Sequence, residues 1–242
     1  MDKHSTTCQQ FTAGIRTGIP VAIGYIPIAI AYGLLARSFD IPPSVTLLMS
    51  FLVFAGASQF IAVQLMVSAV SPWEVIITTF ILNLRHFLMT ASLSQRLPDT
   101  LNRRWLALLA FGVTDETFSV ASMQSERILP APFLLGLNLI AFAAWNGGTW
   151  AGVFLAMGMP QTLQNSMGIA LYAMFIGLLI PSLRGSRTVA GLCLIALLVS
   201  GGLHWGIARL FPLSTGWLII LTTLLSSALG VLVFPEEADD HD

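Results

Sequence analysis

SVTLLMSFLVFAGASQFIAVQLMVSAV, residues 44–70, runs for 27 residues without a charged side chain. A helix needs about 20 apolar residues to cross the hydrocarbon core of a bilayer, so this stretch can span it with residues to spare. Near its middle stand Ala55-Gly56-Ala57-Ser58, a run of small residues that marks the segment as interrupted rather than straight. Irregular backbone at membrane depth survives only where protein or a wet cavity satisfies the freed peptide groups. Helices broken near the midplane are a recurring transporter device. The same criterion applied outward gives seven more segments, 14–37, 72–94, 104–124, 132–157, 166–183, 188–208 and 213–234. The expected fold is therefore all-α, a polytopic integral membrane helical bundle of about eight transmembrane segments. Seven remain open if one broken segment is re-entrant.

Composition agrees. Of 242 residues, 55% are hydrophobic and only 10% charged, with a mean hydropathy of +0.81. Soluble domains carry about a quarter charged residues. Eleven Lys and Arg with 12 Asp and Glu are too few to cover a water-facing surface, which excludes a disordered chain, a fibrous repeat and a cytosolic enzyme. A formal net charge of −1 lacks the basic surplus that nucleic acid binding requires. Cys8 and Cys193 have no metal-ligand spacing and suggest no structural disulfide. Residues 1–13 read as a polar tail, and 14–37 as a first span that is retained rather than a cleavable signal. Residues 14–234 form one transmembrane transport domain, and 235–242 an acidic, solvated tail.

Two more segments look interrupted. The first contains Pro20 and Pro27, and the fifth contains Trp145-Asn146-Gly147-Gly148. For any single glycine, close helix packing is the plainer explanation; for three such segments together, a cavity is favoured. Charge does not set the orientation. With eight spans, Lys3, Arg16, Arg127, Arg184 and Arg187 lie on one side and Arg37, Arg96, Arg103, Arg104 and Arg209 on the other, with no excess for the positive-inside rule to act on. The pairs Gly33/Gly152 and His86/His204 are 119 and 118 residues apart, near half the chain. Duplicated halves would produce this, although chance is the simpler account of two matches.

Few charges fall inside the spans. Asp115 and Glu116 stand in the middle of the fourth segment, and Arg85, next to His86, in the middle of the third. An ionisable group at the bilayer centre costs about 2.5–3.5 kcal/mol on insertion scales, so such groups face the bundle interior and pair. Segments three and four share a short loop and should be antiparallel neighbours, which brings Asn83, Arg85 and His86 to the depth of Thr114, Asp115 and Glu116. Two carboxylates, an arginine and a titratable imidazole favour a substrate or proton site over a purely structural ion pair. Gly56, Ser58 and Gln59 adjoin the opening in the second segment. With Asn83 and Arg85 they are the candidate substrate-binding residues, while His86, Asp115 and Glu116 are candidates for proton coupling. Glu74 reads as a cap on the first turn of its own helix, and His204 as an interfacial or hydrogen-bonded core histidine. Trp145 reads as packing by default.

No phosphate loop, His-Glu-x-x-His pair or nucleophile elbow is present. No cofactor or metal is expected, and energy must come from a proton or ion gradient. A gradient-driven membrane transporter with a substrate or proton site is the first reading of these residues. A membrane-embedded enzyme or an ion channel using the Arg85/His86/Asp115/Glu116 cluster stays open beside it.

Three motifs, Phe54-Ala-Gly-Ala-Ser-Gln-Phe60, Asn83-Leu-Arg-His86 and Phe111-Gly-Val-Thr-Asp-Glu116, in this order and in a chain of this size, resemble the AzlC family of branched-chain amino acid permeases. That family includes the large subunit of the BrnF–BrnE type of exporter. The resemblance runs from about Gly14 to Phe234. Some relatives have Asp where this chain has Asn83, so a carboxylate role is not carried over to that position. The resemblance implies export of Leu, Ile, Val and similar amino acids, coupled to the membrane gradient. It also implies a small membrane subunit of the AzlD type as partner, and a multi-pass location in the cell inner (plasma) membrane.

Overall fold

The structure, a computed structural model, describes residues 6–160, 176–177, 179–180, 183–207 and 214–234. Among these residues every regular element is helical: α1 Thr7–Ser38, α2 Pro43–Leu52, α3 Gly56–Val67, α4 Pro72–Ser94, α5 Arg103–Phe111, α6 Asp115–Ser122, α7 Ala131–Met157, α8 Arg187–Gly202 and α9 Thr215–Val233. A π-helical turn, Leu203–Ile207, continues α8 and carries an exposed His204. Five helices (α1, α4, α7, α8 with the start of its π turn, and α9) are long and apolar enough to cross a membrane. Most of the expected segment 166–183, Arg209 and the acidic tail lie outside the described residues. The described residues gather into two compact units, 6–63 with 83–160, and 64–82 with those from 176 onward.

The breaks are not all where the sequence placed them. The second segment is interrupted, at residues 53–55 between α2 and α3. The first and fifth are not: α1 continues through Pro20 and Pro27, and α7 through Trp145-Asn146-Gly147-Gly148. The second true break falls in the fourth segment, at residues 112–114 between α5 and α6. A helix in lipid keeps its backbone bonds unless neighbours replace them, and proline or glycine alone does not remove that constraint.

In the first unit the glycines of α1 and α7 serve packing instead. A Cβ at Gly14 would run into the Phe133 backbone, one at Gly33 into the backbone of Thr149 and Val153, and one at Gly152 into that of Ile30. Gly148 likewise faces Ile26 and Ala29. Contact residues rise together along both helices, so α1 and α7 pack in parallel, backbone against backbone, as small residues allow. Parallel packing constrains the path between them. If both helices span, the three intervening segments cross an odd number of times in total. A chain in which segment two alone turned back would make α1 and α7 antiparallel.

Beside this pair Leu109, Leu129, Leu134, Leu137 and Ala121 form a buried apolar cluster. The loop after α6 is held by Arg96. Its Nη1 donates to the Ala121 and Ser122 carbonyls at 3.1 Å each, and its Nη2 to those of Gln124 at 2.7 Å and Glu126 at 2.5 Å. A cation thus closes the C-terminal end of α6, where carbonyls are left unpaired and the helix dipole is negative.

In the second unit Glu74 corrects the sequence reading. It does lie in the first turn of α4, but its carboxylate also serves another helix. Oε1 accepts from the Gly216 N–H at 2.8 Å and from the Ser214 hydroxyl, at the N-terminus of α9. The side chain is buried, at 8% exposure, and two helix N-termini supply the partial positive charge that holds it there.

Candidate functional site at the two helix breaks

The α5–α6 break shows how interrupted backbone is paid for with side chains. Gly112 ends α5, and Thr114 caps α6 in a reciprocal box with Thr117. Three carbonyls of the interrupted stretch find donors outside the helix ladder. The Leu109 carbonyl accepts from Asn138 Nδ2 at 2.9 Å, that of Gly112 from Thr117 Oγ1 at 3.3 Å, and that of Val113 from His86 Nδ1 at 2.9 Å. A carbonyl only accepts, so the His86 proton sits on Nδ1, and in the neutral ring Nε2 is left as an acceptor. His86 Nε2 and Asn83 Oδ1, one helical turn apart on α4, are both buried without a hydrogen-bond partner among the described residues.

Asp115 and Glu116 are therefore not in mid-helix, as the sequence suggested. They open α6, where the helix dipole favours negative charge. Their environments differ. Asp115 Oδ2 pairs with Arg85 Nη1 at 2.9 Å, and both side chains are about half exposed, at 47% and 45%. Glu116 Oε2 instead meets the Tyr25 hydroxyl at 2.5 Å, and the same hydroxyl lies 2.6 Å from Thr114 Oγ1. A phenol has one proton, so Tyr25 donates to the carboxylate and accepts from Thr114.

Tyr25 also joins this break to the other. Its ring packs edge-on against Phe54, at 6.1 Å between centroids, and against Trp145, at 5.5 Å. Phe54 lies in the α2–α3 break, and Gly56 opens α3 directly against the Trp145 ring. The Ser58 hydroxyl donates to the Ala55 carbonyl at 2.9 Å. Gln59 is 1% exposed, and its Oε1 accepts from Trp145 Nε1 at 3.0 Å, while its Nε2 has no hydrogen-bond partner. Across the first unit, Ser50 Oγ and Thr149 Oγ1 meet at 2.8 Å and tie α2 to α7.

Of the residues singled out in the sequence, Arg85, His86, Asp115 and Glu116 thus meet at one break, with Asn83 one turn away. Gly56, Ser58 and Gln59 lie in the first turn of α3, beside the α2–α3 break. Sequence reasoning missed Tyr25 and Asn138. Each is a polar group deep in an apolar run, but neither adjoins a charge or a run of small residues in the sequence. Among the described residues no group of three His, Cys, Asp or Glu side chains is placed to hold a metal ion.

Residues 20–159, which contain both breaks and every residue of the cluster, match the family described as AzlC protein. The chain belongs to the AzlC family. Among its relatives, the "Inner membrane protein YgaZ" of Escherichia coli is 31% identical over 195 residues, 78% of each chain. A membrane protein of Archaeoglobus fulgidus is 35% identical over 196 residues, 79% of this chain and 81% of its own. The "Branched-chain amino acid transport protein AzlC" of Bacillus subtilis is 24% identical over 210 residues, 84% of this chain and 82% of its own. No solved structure matches. As an AzlC-family member the chain is a membrane protein of a transport family, and the all-α fold fits that class.

Proposed function

We propose that this AzlC-family chain is the larger subunit of an exporter for branched-chain amino acids. It works by alternating access in the cell inner membrane together with a small AzlD-type membrane subunit, and it is not an enzyme. The observation that carries the reading is the unequal pairing of two adjacent carboxylates at the α5–α6 break. Arg85 and Asp115 form a half-exposed ion pair. A zwitterionic amino acid can exchange with each half, its carboxylate taking Arg85 and its ammonium taking Asp115, so no net charge is buried unpaired. Glu116 is held by the neutral Tyr25 hydroxyl; unlike Asp115, its charge has no cationic side chain bonded to it among the described residues, which suits it to gain and lose a proton during the cycle. His86 Nε2, an acceptor without a partner, is the second proton-accepting group of the site. The N–H groups of Gly56, Ala57 and Ser58, beside the Gln59 side chain, are those of a helix start, which favours an anion.

The test is transport in proteoliposomes holding the complex. An imposed pH gradient should drive uphill leucine movement. Glu116→Gln should remove that drive while leucine-for-leucine exchange survives. Leucine flux indifferent to pH gradients in the wild-type complex would dismiss proton coupling. Ion conductance without uphill movement would favour a channel.

A further inference from the structure

We propose that the partly open apolar cavity of about 290 Å³ between α4, α5 and α7 is the side-chain subsite of the transported amino acid, an inference that rests on the transport reading above. Its walls include Phe87, Ala107, Leu109, Ala110, Val113 and Leu134. Three observations lead there.

The first is position. Val113 is both a wall of the cavity and the break residue whose carbonyl accepts from His86. Phe87, also in the wall, follows His86 and lies two residues from Arg85. The cavity thus starts where the polar cluster ends, as a zwitterion carrying an apolar side chain requires. The second is chemistry. Leu109, Val113 and Leu134 are almost fully buried, at 1%, 2% and 0% exposure. The two hydroxyls in the wall, Thr90 and Ser94, donate to carbonyls of their own helix, those of His86 at 2.8 Å and Ala91 at 2.7 Å. Neither presents a free donor to an occupant, so the lining accepts hydrocarbon. The third is size. Ligand cavities run from about 300 to 1,000 Å³, and one at the lower limit suits a branched aliphatic chain.

The experiment fills the cavity from the wall and reads substrate choice. Ala107 is exposed on α5, so Ala107→Leu adds bulk at a position where the fold tolerates it; Ala110→Val is a second, smaller change. Labelled leucine and valine are followed by counterflow in proteoliposomes holding the complex. One methylene in such a pocket shifts selection by about 10–200-fold. Each variant should therefore lower the leucine-to-valine flux ratio about 10-fold or more, with valine flux retained. An unchanged ratio in active variants, or equal loss of both substrates in both variants, would overturn the subsite. The cavity would then hold a lipid acyl chain or be packing alone. Wild-type complex that moves neither amino acid would overturn the transport reading and this subsite with it.

Discussion

The Tyr25 hydroxyl donates to the Glu116 carboxylate at 2.5 Å from 91 residues away in sequence, while its ring lies against Phe54 at the other break. One side chain of α1 therefore bears on both interruptions of the bundle. Tyr25→Phe keeps the ring packing and removes the donor. Losing one partner of a buried hydrogen bond costs about 1–3 kcal/mol. We expect Tyr25→Phe to accumulate in the membrane and to lose more pH-driven leucine flux than leucine-for-leucine exchange. Equal loss of both would make Tyr25 a structural residue only.

Arg85→Ala should abolish transport with the protein still present in the membrane, because a half-exposed ion pair contributes little to folding. Asp115→Ala added to Arg85→Ala should not restore flux. Wild-type flux in Arg85→Ala would refute its role in the site. Disappearance of the protein would assign the pair to folding.

Glycines of the fifth segment divide into two kinds. A Cβ at Gly152 would strike the Ile30 backbone, whereas one at Gly147 meets nothing within 4 Å. Gly152→Ala should therefore lower the thermal unfolding temperature sharply. Gly147→Ala should leave it unchanged or raise it, since replacing a mid-helix glycine by alanine is worth roughly 0.5–1 kcal/mol. Equal effects at both positions would contradict the α1–α7 packing.

Arg96 reaches four carbonyls, two in the last turn of α6 and two in the loop after it. Arg96→Ala should destabilise the first unit by on the order of 1.5–3 kcal/mol, the range for hydrogen bonds to a charged group. Arg96→Lys should recover only part of this, because an ammonium lacks the planar fork. Thermal unfolding in detergent measures both; full recovery by lysine would show that charge alone closes the helix end.

Glu74→Ala should loosen the start of α9, where the carboxylate accepts from Ser214 and Gly216. A lost cap costs about 0.5–2 kcal/mol. Glu74→Gln keeps an acceptor oxygen and should fall between the two. Protease resistance of the α9 start reports the change, and unaltered resistance in Glu74→Ala would rule out this capping role.

Membrane class, helical fold and the meeting of Arg85 and His86 with the stretch that holds Asp115 and Glu116 were legible in the sequence, because apolar length and the rarity of charge inside apolar runs are local properties. The break in segment two was legible from its small residues, and the three motifs pointed to the family. The sites of the other breaks were not. Pro20, Pro27, Gly147 and Gly148 mark possible interruptions, but whether a helix opens depends on what replaces its backbone bonds. At residues 112–114 the replacements come from Asn138, His86 and Thr117, two of them on other helices. In α1 and α7 no such donors were needed, because glycine there brings two intact helices together. For the same reason the difference between Asp115 and Glu116, adjacent in sequence and alike in chemistry, existed only after folding. Tertiary structure put a guanidinium beside one carboxylate and a phenol beside the other.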